Sequence, residues 1–224
     1  MPSRFTPFEN KNIYHVYNKT IDDKRIFENS LLSEEFYKRL IYYRSEKSSR
    51  SFSELNKLSI ESLNTLKKEI FIKKHFKVSI LTYCFMPTHY HLIVKQLVDN
   101  GISNFMSKTT NSFTRYFNLK NKRNGQLFLK DFKAISIRTD EQLIHTSRYI
   151  HLNMYSSGLT KSVDEVLNYP WSSFRSYATE IEDKLVDTNL ILGIFNKNKE
   201  DYKKFVYANA EYQKKLEEVK YENI

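Results

Sequence analysis

Residues 83–94 read Tyr83-Cys84-Phe85-Met86-Pro87-Thr88-His89-Tyr90-His91-Leu92-Ile93-Val94, an apolar run that carries two histidines one residue apart. Side chains alternate faces along a strand, so His89 and His91 project to one side while Tyr90 takes the other. Two imidazoles on one face are half of a metal site, whose remaining ligands come from elsewhere in the fold or from substrate. They are also what the polar end of an ordinary core strand looks like, and the pair alone does not choose between these readings. Pro87 interrupts the run, which predicts two neighbouring strands over about residues 77–85 and 89–95.

Upstream, residues 13–18 predict a first strand closed by the charged turn Asp22-Asp23-Lys24-Arg25. Ser33 followed by Glu34 and Glu35 has the form of a helix start, with Phe36, Tyr37, Leu40 and Ile41 recurring at helical spacing. Residues 45–70, rich in Ser, Lys, Glu and Leu and free of Gly and Pro, predict an exposed helical insertion. Downstream of Gly101, the residues Ile102, Phe105, Met106, Thr109, Phe113 and Tyr116 recur at three- and four-residue steps and predict a helix with one apolar stripe. The basic stretch from Lys120 to Gly125 ends it. Residues 127–137 predict a strand that offers Phe128, Phe132 and Ile135 to the core, and a helix over residues 141–155 follows. A further aromatic and basic amphipathic pattern occupies residues 202–220, beyond Ala178. Strand, helix, strand, strand, helix, strand, helix implies an α+β arrangement with helices packed on an antiparallel or mixed sheet.

With 224 residues, 40% of them hydrophobic and 15% aromatic, the chain can bury a sizeable core. A formal net charge of +10 suits a polyanionic partner, although 26 acidic residues also fit a solvated, lysine-rich surface. The single cysteine, Cys84, excludes an intramolecular disulfide framework and a multi-cysteine zinc knuckle and reads as a small buried hydrophobe. The opening residues are polar and charged, and no apolar run reaches the length of a membrane span, so a cytoplasmic location is expected.

Several further motifs follow one another in order: Tyr14-His15-Val16-Tyr17-Asn18-Lys19, Ser112-Phe113-Thr114-Arg115-Tyr116-Phe117-Asn118, Gly125-Gln126-Leu127-Phe128, Asp131-Phe132-Lys133, Arg148-Tyr149-Ile150-His151-Leu152-Asn153 and Tyr169-Pro170-Trp171-Ser172-Ser173. Together with the histidine pair they resemble the single-tyrosine HUH transposases of the IS200/IS605 type, and most closely their REP-associated relatives, over about residues 11–177. The resemblance implies a ferredoxin-like antiparallel sheet with helices packed on it and the histidine pair on a central strand. It divides the chain into a catalytic domain of residues 1–177 and a helical extension of residues 178–224.

The implied activity is metal-dependent cleavage and rejoining of single-stranded DNA at hairpins through a 5′-phosphotyrosine intermediate, in the cytoplasm at the nucleoid. The chemistry needs a nucleophile and a cation on the scissile phosphate, here Mg²⁺ or Mn²⁺ on His89 and His91. By resemblance the nucleophile is Tyr116, within Arg115-Tyr116-Phe117-Asn118, although its spacing alone reads as packing. The third metal ligand in the insertion-sequence transposases is a glutamine four residues past the nucleophile. Here that position is Lys120, which cannot bind a metal while protonated. His15 is the candidate replacement, with a structural or DNA-contacting role as the alternative. His151 reads as a hydrogen-bonded packing residue. Arg115 and Asn118 are candidates to position phosphate, and Lys19, Lys24, Arg25, Lys120, Lys122, Arg123, Lys130 and Lys133 to follow the DNA backbone; a solvated surface explains each equally well. The expected partner is single-stranded DNA with hairpin elements, bound by a monomer or homodimer away from any membrane. The alternative is a domesticated hairpin-binding protein that has lost turnover.

Overall fold

The structure is a computed structural model in which residues 7–222 are described, with side chains as far as residue 217. The outermost residues of the expected domain and extension, 1–6 and 223–224, lie outside the described residues. Four strands, β1 (Ile13–Lys19), β2 (Val78–Met86), β3 (His89–Gln96) and β4 (Lys133–Ile137), form one antiparallel sheet in the order β2-β3-β1-β4. The helix α1 (Ser30–Tyr43) and the shorter α2 (Ile60–Glu69) lie between β1 and β2, and α3 (Gly101–Lys120) joins β3 to β4. This is the ferredoxin-like α+β arrangement implied by the sequence. Residues 87–88 make the tight turn from β2 to β3, so Met86 pairs with His89. The histidines therefore sit at the start of an interior strand.

Strand alternation splits the core in two. On one face Tyr14, Val16, Tyr90, Leu92 and Val94 meet Phe36 and Leu40 of α1 and Phe105, Met106 and Phe113 of α3. On the other, Leu81, Cys84, Met86 and Ile93 meet α4 (Asp140–Ser156), α5 (Phe174–Ala178), α6 (Asn189–Ile194) and α7 (Lys199–Tyr207). A bulge between Ile80 and Thr82 keeps both faces of β2 apolar. The last helix, α8 (Ala210–Glu222), runs against α4, where Gln213 Nε2 donates to the Tyr149 carbonyl at 3.0 Å. Cys84 is fully buried, as expected of a small hydrophobe. Among the described residues no helix is long and apolar enough to cross a membrane.

Three local expectations are corrected. The first helix starts at Ser30, because the Asn29 side chain caps it by accepting from the Leu31 and Leu32 amides, whereas the Ser33 hydroxyl donates to the Phe27 carbonyl. The strand expected over residues 127–137 is regular only over Lys133–Ile137, since Phe128 instead bridges to Thr20. Ile135 belongs to no core: it lies on the edge strand and is 55% exposed. Gly101 opens α3 because the backbone leaves no room for a side chain there, a Cβ falling 2.5 Å from the Lys77 carbonyl oxygen.

Candidate active site

In the register of β1 against β3, Lys19 lies opposite His89, Tyr17 opposite His91 and His15 opposite Ile93. Directly opposed residues share a face, so Lys19, Tyr17 and His15 stand on the same side as the histidine pair. The His89 and His91 rings are 5.0 Å apart and nearly perpendicular. Each is tied down through Nδ1: His89 Nδ1 lies 3.0 Å from Thr88 Oγ1, and His91 Nδ1 lies 2.8 Å from His15 Nε2. Both rings are thereby oriented by a neighbour at one nitrogen and keep Nε2 for another partner, which is how metal-binding histidines are commonly held.

Burial sets their charge. Desolvation lowers His15 to about 4 and depresses His91 well below its ordinary value, with His15 and His89 adding repulsion at His91. His89 is lowered by the same cause and by Lys19, while Asp23 and Glu217 oppose it. All three imidazoles are therefore neutral near pH 7, the state that donates a lone pair to a metal.

His89 and His91 offer two neutral imidazole donors of the kind a divalent cation takes, although among the described residues no group of three or more His, Cys, Asp or Glu side chains is placed to hold a metal. His15 does not join them: its Nε2 already faces His91 Nδ1 at 2.8 Å, and a metal bound to both nitrogens would need about 2.0–2.2 Å on each side. Its place is behind His91, as the group that fixes the ring. A buried side-chain amide stands on α4, the helix packed on this face of the sheet. Asn153 is 6% exposed, and its Nδ2 has no hydrogen-bond partner. Buried amides are almost always paired, and Nδ2 is a donor, so what this group lacks is a hydrogen-bond acceptor; the atom of an asparagine that can bind a metal is Oδ1.

The same helix supplies a tyrosine that the sequence reading passed over. Tyr149, one turn before Asn153 and on the same side of α4, has its ring centroid 5.9 Å from that of His91 and 6.4 Å from that of His15. Tyr17 is also near, 5.5 Å from the His91 ring and 5.1 Å from the His15 ring, but lies within about 33° of parallel to both. Tyr149 stands edge-on instead, at 89° to His91.

Tyr116 is not part of this cluster. It packs against the core on the α1 and α3 face, 6.4 Å from Phe113 and 4.8 Å beneath the Arg39 guanidinium, with the sheet between it and the histidines. Of the basic candidates, Lys19 and Lys133 flank the histidine face, Lys133 lying opposite Tyr17 on β4. Lys19 makes an exposed ion pair with Asp23 at 3.2 Å. Asn118 and Arg123 hold the turn after α3: Asn118 Nδ2 donates to the Gly125 carbonyl at 2.8 Å, and Arg123 donates to Asn118 Oδ1 at 2.8 Å and to the Gln126 carbonyl at 2.9 Å. Arg115, Lys120 and Lys122 are exposed on or just after α3, and Lys130 is exposed in the following loop.

Three comparisons with known proteins bear on these residues. Residues 55–153 match the family model described as Transposase IS200 like, a span that contains His89, His91, Asn153 and both Tyr116 and Tyr149 and leaves out Tyr17. A solved REP-associated tyrosine transposase bound to a REP hairpin shares the fold with a TM-score of 0.56 at 16% identity, over 84% of this chain and 93% of its own. No curated protein matches.

Proposed function

We propose, from the match of residues 55–153 to an IS200-like transposase model and from the geometry of the site, that this protein cleaves and rejoins single-stranded DNA at hairpin-marked sites, with Tyr149 as nucleophile. The observation that carries the assignment is the Tyr149 ring 5.9 Å from His91, on the sheet face where both paired histidines stand. The spacing rule of the insertion-sequence transposases supports it. Counted from Tyr116, the metal-binding amide position falls on Lys120; counted from Tyr149, it falls on Asn153, a side-chain amide whose Oδ1 can take that role. His89, His91 and Asn153 would hold a divalent ion, Mg²⁺ or Mn²⁺, which when bound draws charge from the scissile phosphate.

The rest is done by the chain itself. The Tyr149 oxygen forms a bond to phosphorus while the bond from phosphorus to the 3′ oxygen breaks, and the phenolic proton ends on the released 3′ hydroxyl. The 5′ phosphate is retained as a tyrosyl ester, so the reverse attack by another 3′ hydroxyl rejoins strands without an external energy source. His15 keeps His91 in register, and α4 carries Tyr149 and Asn153 as one rigid unit. Lys19 and Lys133, at the border of the same face, track the phosphates on either side of the reacting one.

The test is incubation with end-labelled single-stranded DNA containing the hairpins that flank the protein's own gene, with Mn²⁺ and with chelator. The expected result is a metal-dependent covalent adduct that is present in Tyr116→Phe and Tyr17→Phe and missing from Tyr149→Phe. Tight hairpin binding with no adduct under any metal would instead establish a binding protein without turnover.

A further inference from the structure

Tyr116 lies far from the proposed chemistry, yet it lines a cleft of about 720 Å³. One wall is α3, with Lys108, Asn111, Arg115, Tyr116 and Leu119; the other is α1 together with the inserted segment around Arg50 and Phe52. Arg39 forms part of the floor. Its guanidinium is 3% exposed, sits 4.5 Å over Phe52 and 4.8 Å over Tyr116, and is neutralised by Glu35 at 2.6 Å. The remaining cations differ in kind. Arg50, Lys108 and Arg115 are exposed, converge on the same cleft, and among the described residues have no carboxylate within ion-pair distance. Beside them Leu119, 73% exposed, and the half-buried Tyr116 present an apolar surface.

Cations free of any carboxylate partner, beside a half-buried aromatic ring and an exposed leucine, complement one class of ligand closely: a chain of phosphates bearing flat, apolar-faced bases. We propose that this cleft is a second nucleic-acid surface, which holds an unpaired stretch of the DNA on the side of the sheet opposite the histidines. Arg50, Lys108 and Arg115 neutralise phosphates there, and a base lies against Tyr116 and Leu119. The proposal rests on the DNA-processing reading above but uses a different set of residues, so the two fail separately.

The experiment measures binding of a labelled single-stranded DNA oligonucleotide over a series of salt concentrations. It compares the wild type, Arg50→Ala/Arg115→Ala, Tyr116→Leu and a charge-matched control, Lys67→Ala/Lys68→Ala, on the exposed face of α2. Each lost phosphate contact to a single strand lowers the salt slope by about 0.7, so the cleft double variant is expected to lose about 1.4 while the control keeps the wild-type slope. Removing the stacking ring is expected to weaken binding by roughly 5- to 100-fold with the slope preserved. An unchanged slope in the cleft variant, an equal loss in the control, or a loss seen with RNA of the same sequence but not with DNA would each overturn the proposal. The measurement needs no cleavage. If Tyr149→Phe still forms adduct, the catalytic assignment falls and the cleft result stands; if the cleft slope does not move while adduct formation follows Tyr149, the reverse holds.

Discussion

Replacing His15 by leucine separates a metal ligand from the group that orients one. In the structure the His15 ring is hydrogen-bonded to the site through Nε2, 2.8 Å from His91 Nδ1, and both rings are buried. Leucine fills most of the volume but leaves His91 Nδ1 without a partner and its ring free to tilt. Loss of such an orienting partner lowers metal affinity by about 10- to 100-fold, or about 1.4–2.7 kcal/mol, whereas loss of a ligand removes one of the few bonds to the ion. Titration of Mn²⁺ followed by electron paramagnetic resonance of the free ion measures this directly. His15→Leu is expected to bind with a Kd raised by one to two orders of magnitude, and His91→Ala to show no saturable binding in the same range. Circular dichroism checks that both remain folded. If His15→Leu loses binding as completely as His91→Ala, His15 is a ligand and the geometry has been misread; if it loses none, the contact to His91 does not orient anything.

Three stability predictions follow from buried contacts. The Tyr202 hydroxyl joins His151 Nδ1 at 2.8 Å and Ser147 Oγ at 2.6 Å in the core beneath α4, so Tyr202→Phe should cost about 2–4 kcal/mol and lower Tm by roughly 4–16 °C in calorimetry; a shift under a degree would contradict it. Gly101→Ala places a methyl 2.5 Å from the Lys77 carbonyl oxygen, and urea unfolding should show a loss of about 1–3 kcal/mol despite the better helix propensity of alanine. Burial, with repulsion from Lys108, lowers the Lys77 ammonium to about 8 against a weaker pull from Glu46, and its hydrogen-bond partners are the Ser48 hydroxyl at 3.2 Å and the Asn104 amide oxygen at 3.4 Å. The folded state then releases this proton earlier than the unfolded chain, so the penalty is full below about pH 8 and fades as pH rises toward 10. Lys77→Met should therefore stabilise the protein at pH 7, by about 1 kcal/mol once solvent screening is allowed for, and by less at pH 10.

The histidine pair was legible because period-two alternation is enforced by the strand itself, and His89 and His91 do share a face. The helix with Phe105 and Phe113 on its apolar stripe was legible for the same kind of reason. What periodicity does not encode is the side of the sheet on which a helix lands. Tyr116 and Tyr149 occupy successive helices, α3 and α4, that pack on opposite faces, and only the three-dimensional crossover separates them. One sequence signal agrees with the proposed site: Lys120 fails as a metal ligand four residues after Tyr116, whereas Asn153 stands four after Tyr149. The role of His15 depends on a nitrogen-to-nitrogen approach that no spacing specifies. His151 did behave as a packing residue, fully buried between Tyr202 and Ser173. The strand expected over residues 127–137 shortens to Lys133–Ile137 because Leu127 and Phe128 are buried like strand residues but reach the core from a loop.

The central claim is that the reactive tyrosine lies on α4. Trapping the covalent DNA adduct, digesting both components and sequencing the modified peptide by mass spectrometry tests it without reliance on any variant. The account predicts a nucleotide phosphate on Tyr149, in the peptide that also contains His151 and Asn153. Modification of Tyr116, on the far side of the sheet, or of Tyr17 would contradict it.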